Sequence, residues 1–186
     1  MNYWSAPEHG PRVFGLRISG PLTLGHVLLL DELGSPLLSG GELTPGDVAL
    51  ACYVCAYPHR KARRKLKSLF AATAMRVWGR IVGGRVDFDK EAQKFIDWFV
   101  SEAKAPPIWI RSGNGRESAA PWWINRLSVA MGNLHMSYDE AQAFPIKRLN
   151  QLAMAYAESR GEVEMVNAKD LAFREAVARA EAARRN

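Results

Sequence analysis

The residue types best able to do chemistry gather in one stretch, LTPGDVALACYVCAYPHRKARRKLK, from Leu43 to Lys67. It holds both cysteines, Cys52 and Cys55, then His59, then Arg60, Lys61, Arg63, Arg64, Lys65 and Lys67. Two cysteines three positions apart could be a redox dithiol or half of a zinc site. A thioredoxin-type dithiol needs its first thiolate at a helix N-terminus, where free N–H groups lower its pKa. Thr44 and Pro45 mark the start of this helix, and Cys52 lies about two turns further in, too deep for that help. Zinc needs four ligands. Beyond His59 the histidines are His9, His26 and His135, and none shares a ligand spacing with the pair. The pattern predicts buried structural thiols, with no metal and no cofactor. Two cysteines also cannot form a disulfide framework, which points to a reducing compartment.

The basic run has its own chemistry. The chain has 25 Lys and Arg, 19 Asp and Glu and a net charge of +6. Setting the six residues of the run aside leaves 19 basic residues against 19 acidic, so the excess is one patch and not a basic surface. Clustered Lys and Arg on one helix suit phosphate backbones. They equally suit an acidic protein partner, or merely solvate the outer face of a helix whose apolar side carries Ala62, Leu66, Leu69 and Phe70. Six tryptophans are many for 186 residues, and PWWINR sets Trp122 beside Trp123. Neighbouring helical residues point in different directions. Either one of them is a docking anchor, a role in which Trp is enriched, or both are half-buried packing contacts. RSGNGRES lacks the Lys-Ser/Thr ending of a phosphate loop. No Ser, His, Asp or Glu spacing marks a nucleophile or an acid–base pair; Asp31 and Glu32 near His26 read as helix-surface polarity. The expectation is a non-enzyme.

The elements positioning these residues are mostly helices. The first 20 residues are rich in Pro and Gly, with one short strand or hairpin at RVFGLRIS. Leu22, His26, Leu29, Leu30 and Leu33 recur at helical spacing, with Thr23 as N-cap and Gly34 as the stop. LTPGD is the clearest start: Thr44 caps, Pro45 takes the first turn and Asp47 answers the cap. That helix is apolar nearly all round, which predicts a central core helix, and it stops at Pro58. A single helix is then predicted from His59 to Val82, ended by Gly83 and Gly84, with Leu66, Leu69, Phe70, Ala74, Val77, Trp78 and Ile81 inward. DFDKEAQKFIDWFVSEAKAPP predicts another, with Phe88, Ala92, Phe95, Ile96, Phe99 and Val100 inward. Pro121 restarts a helix, Ser137 and Glu140 form a capping box, and Pro145 launches a stripe of Ile146, Leu149, Leu152, Ala153 and Tyr156. In the Ala-rich tail, Leu171, Phe173 and Val177 are the larger apolar groups, so a helix there needs something to dock on. The expected class is mainly α, with about six to seven helices in small lobes. The expected division is an arm over 1–20, a lobe over 21–110, a flexible loop over 111–120 and a second lobe with the tail over 121–186. No secretory leader opens the chain, and no apolar run nears the roughly 20 residues of a membrane span; a cytoplasmic protein is expected.

PLTLGHVLLLDELGSPLLSGGELTPGDVALACYVCAYP resembles the N-terminal part of tailed-bacteriophage tail assembly chaperones, small helical proteins encoded beside the tape measure protein. WWINRLSVAMGNLHMSYDEAQAFPIKRLNQLAMAYAESRGE is similar to the compact helical element that often follows in those proteins or in neighbouring tail genes. The resemblance covers Pro21 to Tyr57 and Pro121 to Gly161. It implies a non-catalytic protein of the host cytoplasm that coats the apolar, helical tape measure protein before the tube polymerises, with the tube protein and a second copy of itself as further partners. On that reading the contacts are helix-in-groove. Trp122, Trp123, Tyr156 and Phe173 carry them, and Arg63, Arg64 and Lys67 steer acidic segments. A small nucleic-acid-binding or regulatory protein, using Arg60 to Lys67 on phosphates, is the alternative.

Overall fold

Local signals set most helix starts. In the computed structural model, which describes residues 10–18, 20–67, 69–106, 108–110, 120–165 and 173, Thr23 caps α1 (Leu24–Glu32) and Thr44 caps α3 (Pro45–Cys55). At Thr44 the capping box closes: its hydroxyl accepts from the Asp47 N–H, and the Asp47 carboxylate accepts from the Thr44 N–H and hydroxyl. Ser137 and Glu140 repeat the device at α8 (Tyr138–Ala143). The other helices are α2 (Pro36–Ser39), α4 (His59–Leu66), α5 (Leu69–Gly83), α6 (Phe88–Ala103), α7 (Trp122–Gly132) and α9 (Ile146–Ser159). The fold is mainly helical, with nine helices among the described residues and a short N-terminal hairpin.

The hairpin pairs β1 (Arg12–Val13) with β2 (Leu16–Arg17) in antiparallel register. Phe14 and Gly15 both have positive φ, 48° and 77°, as a two-residue turn of the right twist requires. Phe14 is an unusual residue for that conformation, and two contacts hold it there. Its N–H donates to Glu91 Oε2 at 2.9 Å, and its ring stacks on Phe88.

α3 is the central helix: Val48, Ala49, Leu50, Ala51, Cys52, Val54 and Cys55 are all buried. Fully burying each large apolar side chain there contributes about 1.5–3 kcal/mol. α5 lies along it at very close range, because the contact is made without side chains. A Cβ on Gly79 would stand 2.5 Å from the Ala49 Cβ, one on Gly83 2.6 Å from the Pro45 Cβ, and one on Gly46 2.8 Å from the Arg76 carbonyl. Two helices whose facing positions are Gly and Ala approach backbone to backbone.

That contact overturns two expectations. The single helix predicted from His59 to Val82 is two helices, because α4 sets Ala62 and Leu66 into the core beside α1 and the end of α3, whereas α5 follows α3 along its length. One straight rod cannot do both. Most of the apolar side expected inward on α5 faces out: Phe70 is 86% exposed, Val77 and Ile81 are 50% and 53% exposed, and Ala74 is exposed with them, whereas Trp78 is half-buried against the core as expected. Sequence periodicity favours the bulky side as the buried one; here the glycine side is buried. A smaller correction falls on α6, where Val100 is exposed and Trp98 is buried, tilted against Phe95 with Gly10 beside its indole. On α9, Ile146, Leu149 and Ala153 are buried as expected and Leu152 is exposed.

The N-terminal and C-terminal stretches are joined through backbone. Thr23 and Pro145 form an isolated antiparallel bridge, with Leu24 N–H donating to the Phe144 carbonyl at 3.2 Å and Ile146 N–H to that of Leu22 at 2.9 Å. In a separate sheet, β3 (Ile108–Ile110) pairs antiparallel with β4 (Val163–Met165), a pairing the sequence did not announce. One apolar cluster draws on α1, α3, α4, α6, α7, α8 and α9. The stretch 111–119, expected as a loop, lies outside the described residues, as does the tail apart from Phe173.

Candidate partner-binding surface

Trp122 and Trp123 open α7 behind Pro121, and they divide the roles that sequence left open. Trp123 is 7% exposed, and its Nε1–H donates to Asp31 Oδ2 on α1 at 3.2 Å. Its ring and its donor are both committed to the fold. Trp122 is 37% exposed and meets Trp123 edge to face, with centroids 5.7 Å apart. Any docking by the pair therefore falls to Trp122. Tyr156 on α9 is half-buried under Arg160, whose guanidinium lies 5.9 Å from the ring centroid and also pairs with Glu162 at 2.9 Å. Phe173 is exposed. Trp122 and Tyr156 lie on separate helices, α7 and α9.

The basic helix α4 is largely spoken for by the fold. Arg60 pairs with Asp139 of α8 at 3.0 Å, and Arg63 with Glu32 of α1. Lys65 lies 4.3 Å from the Tyr57 ring centroid and 5.9 Å from that of Tyr53, and Lys61 lies 5.3 Å from Tyr57. These cations clamp α4 to α1, to α8 and to the end of α3, each exposed pair being worth under about 1 kcal/mol. Arg64 and Lys67 are exposed and enter none of these contacts.

Both thiols are buried and reduced. Burial pushes the Cys52 thiol well up, with the neighbouring Cys55 adding to it, and burial alone does the same to Cys55. A thiol held protonated is a poor nucleophile and a poor ligand. Among the described residues no group of three His, Cys, Asp or Glu is placed to hold a metal ion, and no helix is long and apolar enough to cross a membrane.

Two histidines missed by spacing rules meet at the junction of α1 and α4. His26 Nδ1 accepts from the Thr23 N–H at 3.1 Å, with the Thr23 hydroxyl 3.0 Å away, and Nε2 lies 2.8 Å from the Tyr57 carbonyl oxygen. A carbonyl only accepts, so Nε2 carries the proton and the ring is neutral. Burial lowers its pKa to about 4. His59 packs edge-on to it, in a space that exists because residue 25 is glycine; a Cβ there would stand 2.6 Å from the ring. Burial, then Arg60 and Arg63, lower the His59 pKa. Its buried Nε2 has no hydrogen-bond partner among the described residues. The ring borders a cleft of about 430 Å³ with Thr23, Arg60, Asp139 and Glu140. Arg60 is already neutralised there by Asp139, and the Glu140 carboxylate is taken up by the Ser137 N–H and hydroxyl at the cap of α8.

No family model, curated protein or solved structure matches the chain.

Proposed function

We propose that the chain is a non-enzymatic tail assembly protein of a phage or prophage, a chaperone that binds the tape measure protein before the tube polymerises in the host cytoplasm. The observation supporting this reading is that the two stretches carrying the resemblance, Pro21 to Tyr57 and Pro121 to Gly161, fold as one unit. The bridge between Thr23 and Pro145 joins them, and Trp123 reaches Asp31 across them. On this reading Trp122 is the anchor on the α7 side, and Tyr156 and Phe173 extend the contact. Arg64 and Lys67 are the cations left to steer acidic segments toward it.

Co-expression with the neighbouring tail genes, followed by capture of the tagged chain, tests the proposal. The expected result is recovery of the long helical tail protein, resistant to nuclease and weakened by Trp122→Ala. Nucleic acid released by salt, with no tail protein, would favour the alternative in which Arg64 and Lys67 contact phosphates.

A further inference from the structure

α5 presents a second surface that the tail-assembly reading does not use. Phe70, Ala74, Val77 and Ile81 stand in one exposed row at intervals of four, three and four. That is the a/d spacing of a helix built to receive another helix, and the row runs for about 16 Å. The row stays open among the described residues, because the opposite side of the helix is locked on α3 through Gly79 and Gly83. Exposed Phe, Val and Ile aligned in this way differ from scattered surface residues; aligned apolar exposure marks an interaction site.

Charge names the occupant. From His59 to Val86 the chain carries no Asp or Glu, while Lys and Arg recur throughout. Arg80 adjoins the row and Arg85 follows its end, and both are exposed. A second copy of the chain would bring two such borders together and repel itself. A partner helix with an apolar stripe flanked by Glu or Asp would satisfy both the row and its borders. We infer that the exposed face of α5 is a docking surface for an acidic amphipathic helix of a partner protein. The surface lies on different elements from Trp122 and Tyr156, so losing the tape measure reading leaves it in place.

The test uses the full chain and two labelled helical peptides of about 18 residues with the same Leu stripe, one bordered by Glu and one by Lys, in fluorescence anisotropy at roughly 50 mM salt. The expected result is that the Glu peptide binds at least about tenfold more tightly than the Lys peptide. Val77→Gln with Ile81→Gln, both exposed, should abolish binding of the Glu peptide with the circular dichroism unchanged, and Arg80→Gln with Arg85→Gln should erase the preference for Glu. Equal binding of both peptides, or binding that survives the Val77 and Ile81 changes, overturns the proposal. Displacement of the Glu peptide by duplex DNA would reassign the surface to nucleic acid. Displacement by a peptide of residues 166–186 would reassign it to the chain's own C-terminal stretch. A dimer in solution lost on Ile81→Gln would reassign it to a second copy. Each of these three results also overturns it.

Discussion

His26 couples the stability of the protein to pH. In an unfolded chain its pKa is about 6.5, and burial lowers it to about 4 in the folded one. Between those values the unfolded chain takes up a proton that the folded chain refuses. Stability is therefore complete above pH 6.5 and is lost as pH falls toward 4, by roughly 3 kcal/mol in all. His59 shifts in the same direction and adds to the same window. Urea unfolding at pH 7.5 and pH 4.5 should show that loss, and His26→Gln should shrink it while lowering stability at pH 7.5. The tryptophans make a contrasting pair: Trp123→Ala should cost about 3–5 kcal/mol, and Trp122→Ala under about 1 kcal/mol, in the same unfolding experiment. The native protein should leave both thiols unlabelled by a thiol reagent that labels two in denaturant, since Cys52 and Cys55 are buried and their pKa values raised. The fate of the cysteines was legible because depth within a capped helix is a local property. The choice between Trp122 and Trp123 was not. Asp31, which selects Trp123, is 92 positions away in the chain, and adjacency says only that the two point differently.

At the scale of elements, the glycine contact between α3 and α5 predicts how the helices respond to added bulk. Gly79→Ala gains about 1 kcal/mol of helix propensity but sets a methyl 2.5 Å from the Ala49 Cβ and 2.6 Å from the Pro45 carbonyl oxygen. Overpacking of that kind costs about 1–3 kcal/mol, so the melting temperature should fall, and fall further with Gly79→Val. A Gly79→Ala protein that melted higher would mean that α5 can move off α3 freely. Helix starts were readable because Thr44 with Asp47 and Ser137 with Glu140 act within one turn. The face that α5 buries was not, because hydrophobic periodicity assumes that bulk seeks the core. Gly79 and Gly83 satisfy α3 by having no side chain, and only the partner helix reveals that. The break between α4 and α5 has the same origin, in two neighbours that demand different directions. The small sheet of Ile108–Ile110 with Val163–Met165 was unreadable for another reason: three-residue strands leave too short a pattern.

At the scale of the whole molecule, the bridge at Thr23 and Pro145 and the pairing of β3 with β4 tie segments on either side of residues 111–119 together, with one apolar cluster shared between them. A chain divided genetically between Gly113 and Asn114, both halves co-expressed, should still assemble. The halves should co-elute on size exclusion and separate only in denaturant; independent elution would mean that the shared contacts are too weak to hold without the covalent link. The pair of indoles at that junction has an optical consequence. Trp122 and Trp123 lie 5.7 Å apart at 88°, close enough for their excited states to couple, so the near-ultraviolet spectrum of the protein carries the mutual orientation of the two rings at the start of α7. One indole is fixed by Asp31 and its neighbour is half open to solvent. Any molecule that settles on Trp122 must therefore change the emission of the pair, and the protein reports its own occupancy without a label.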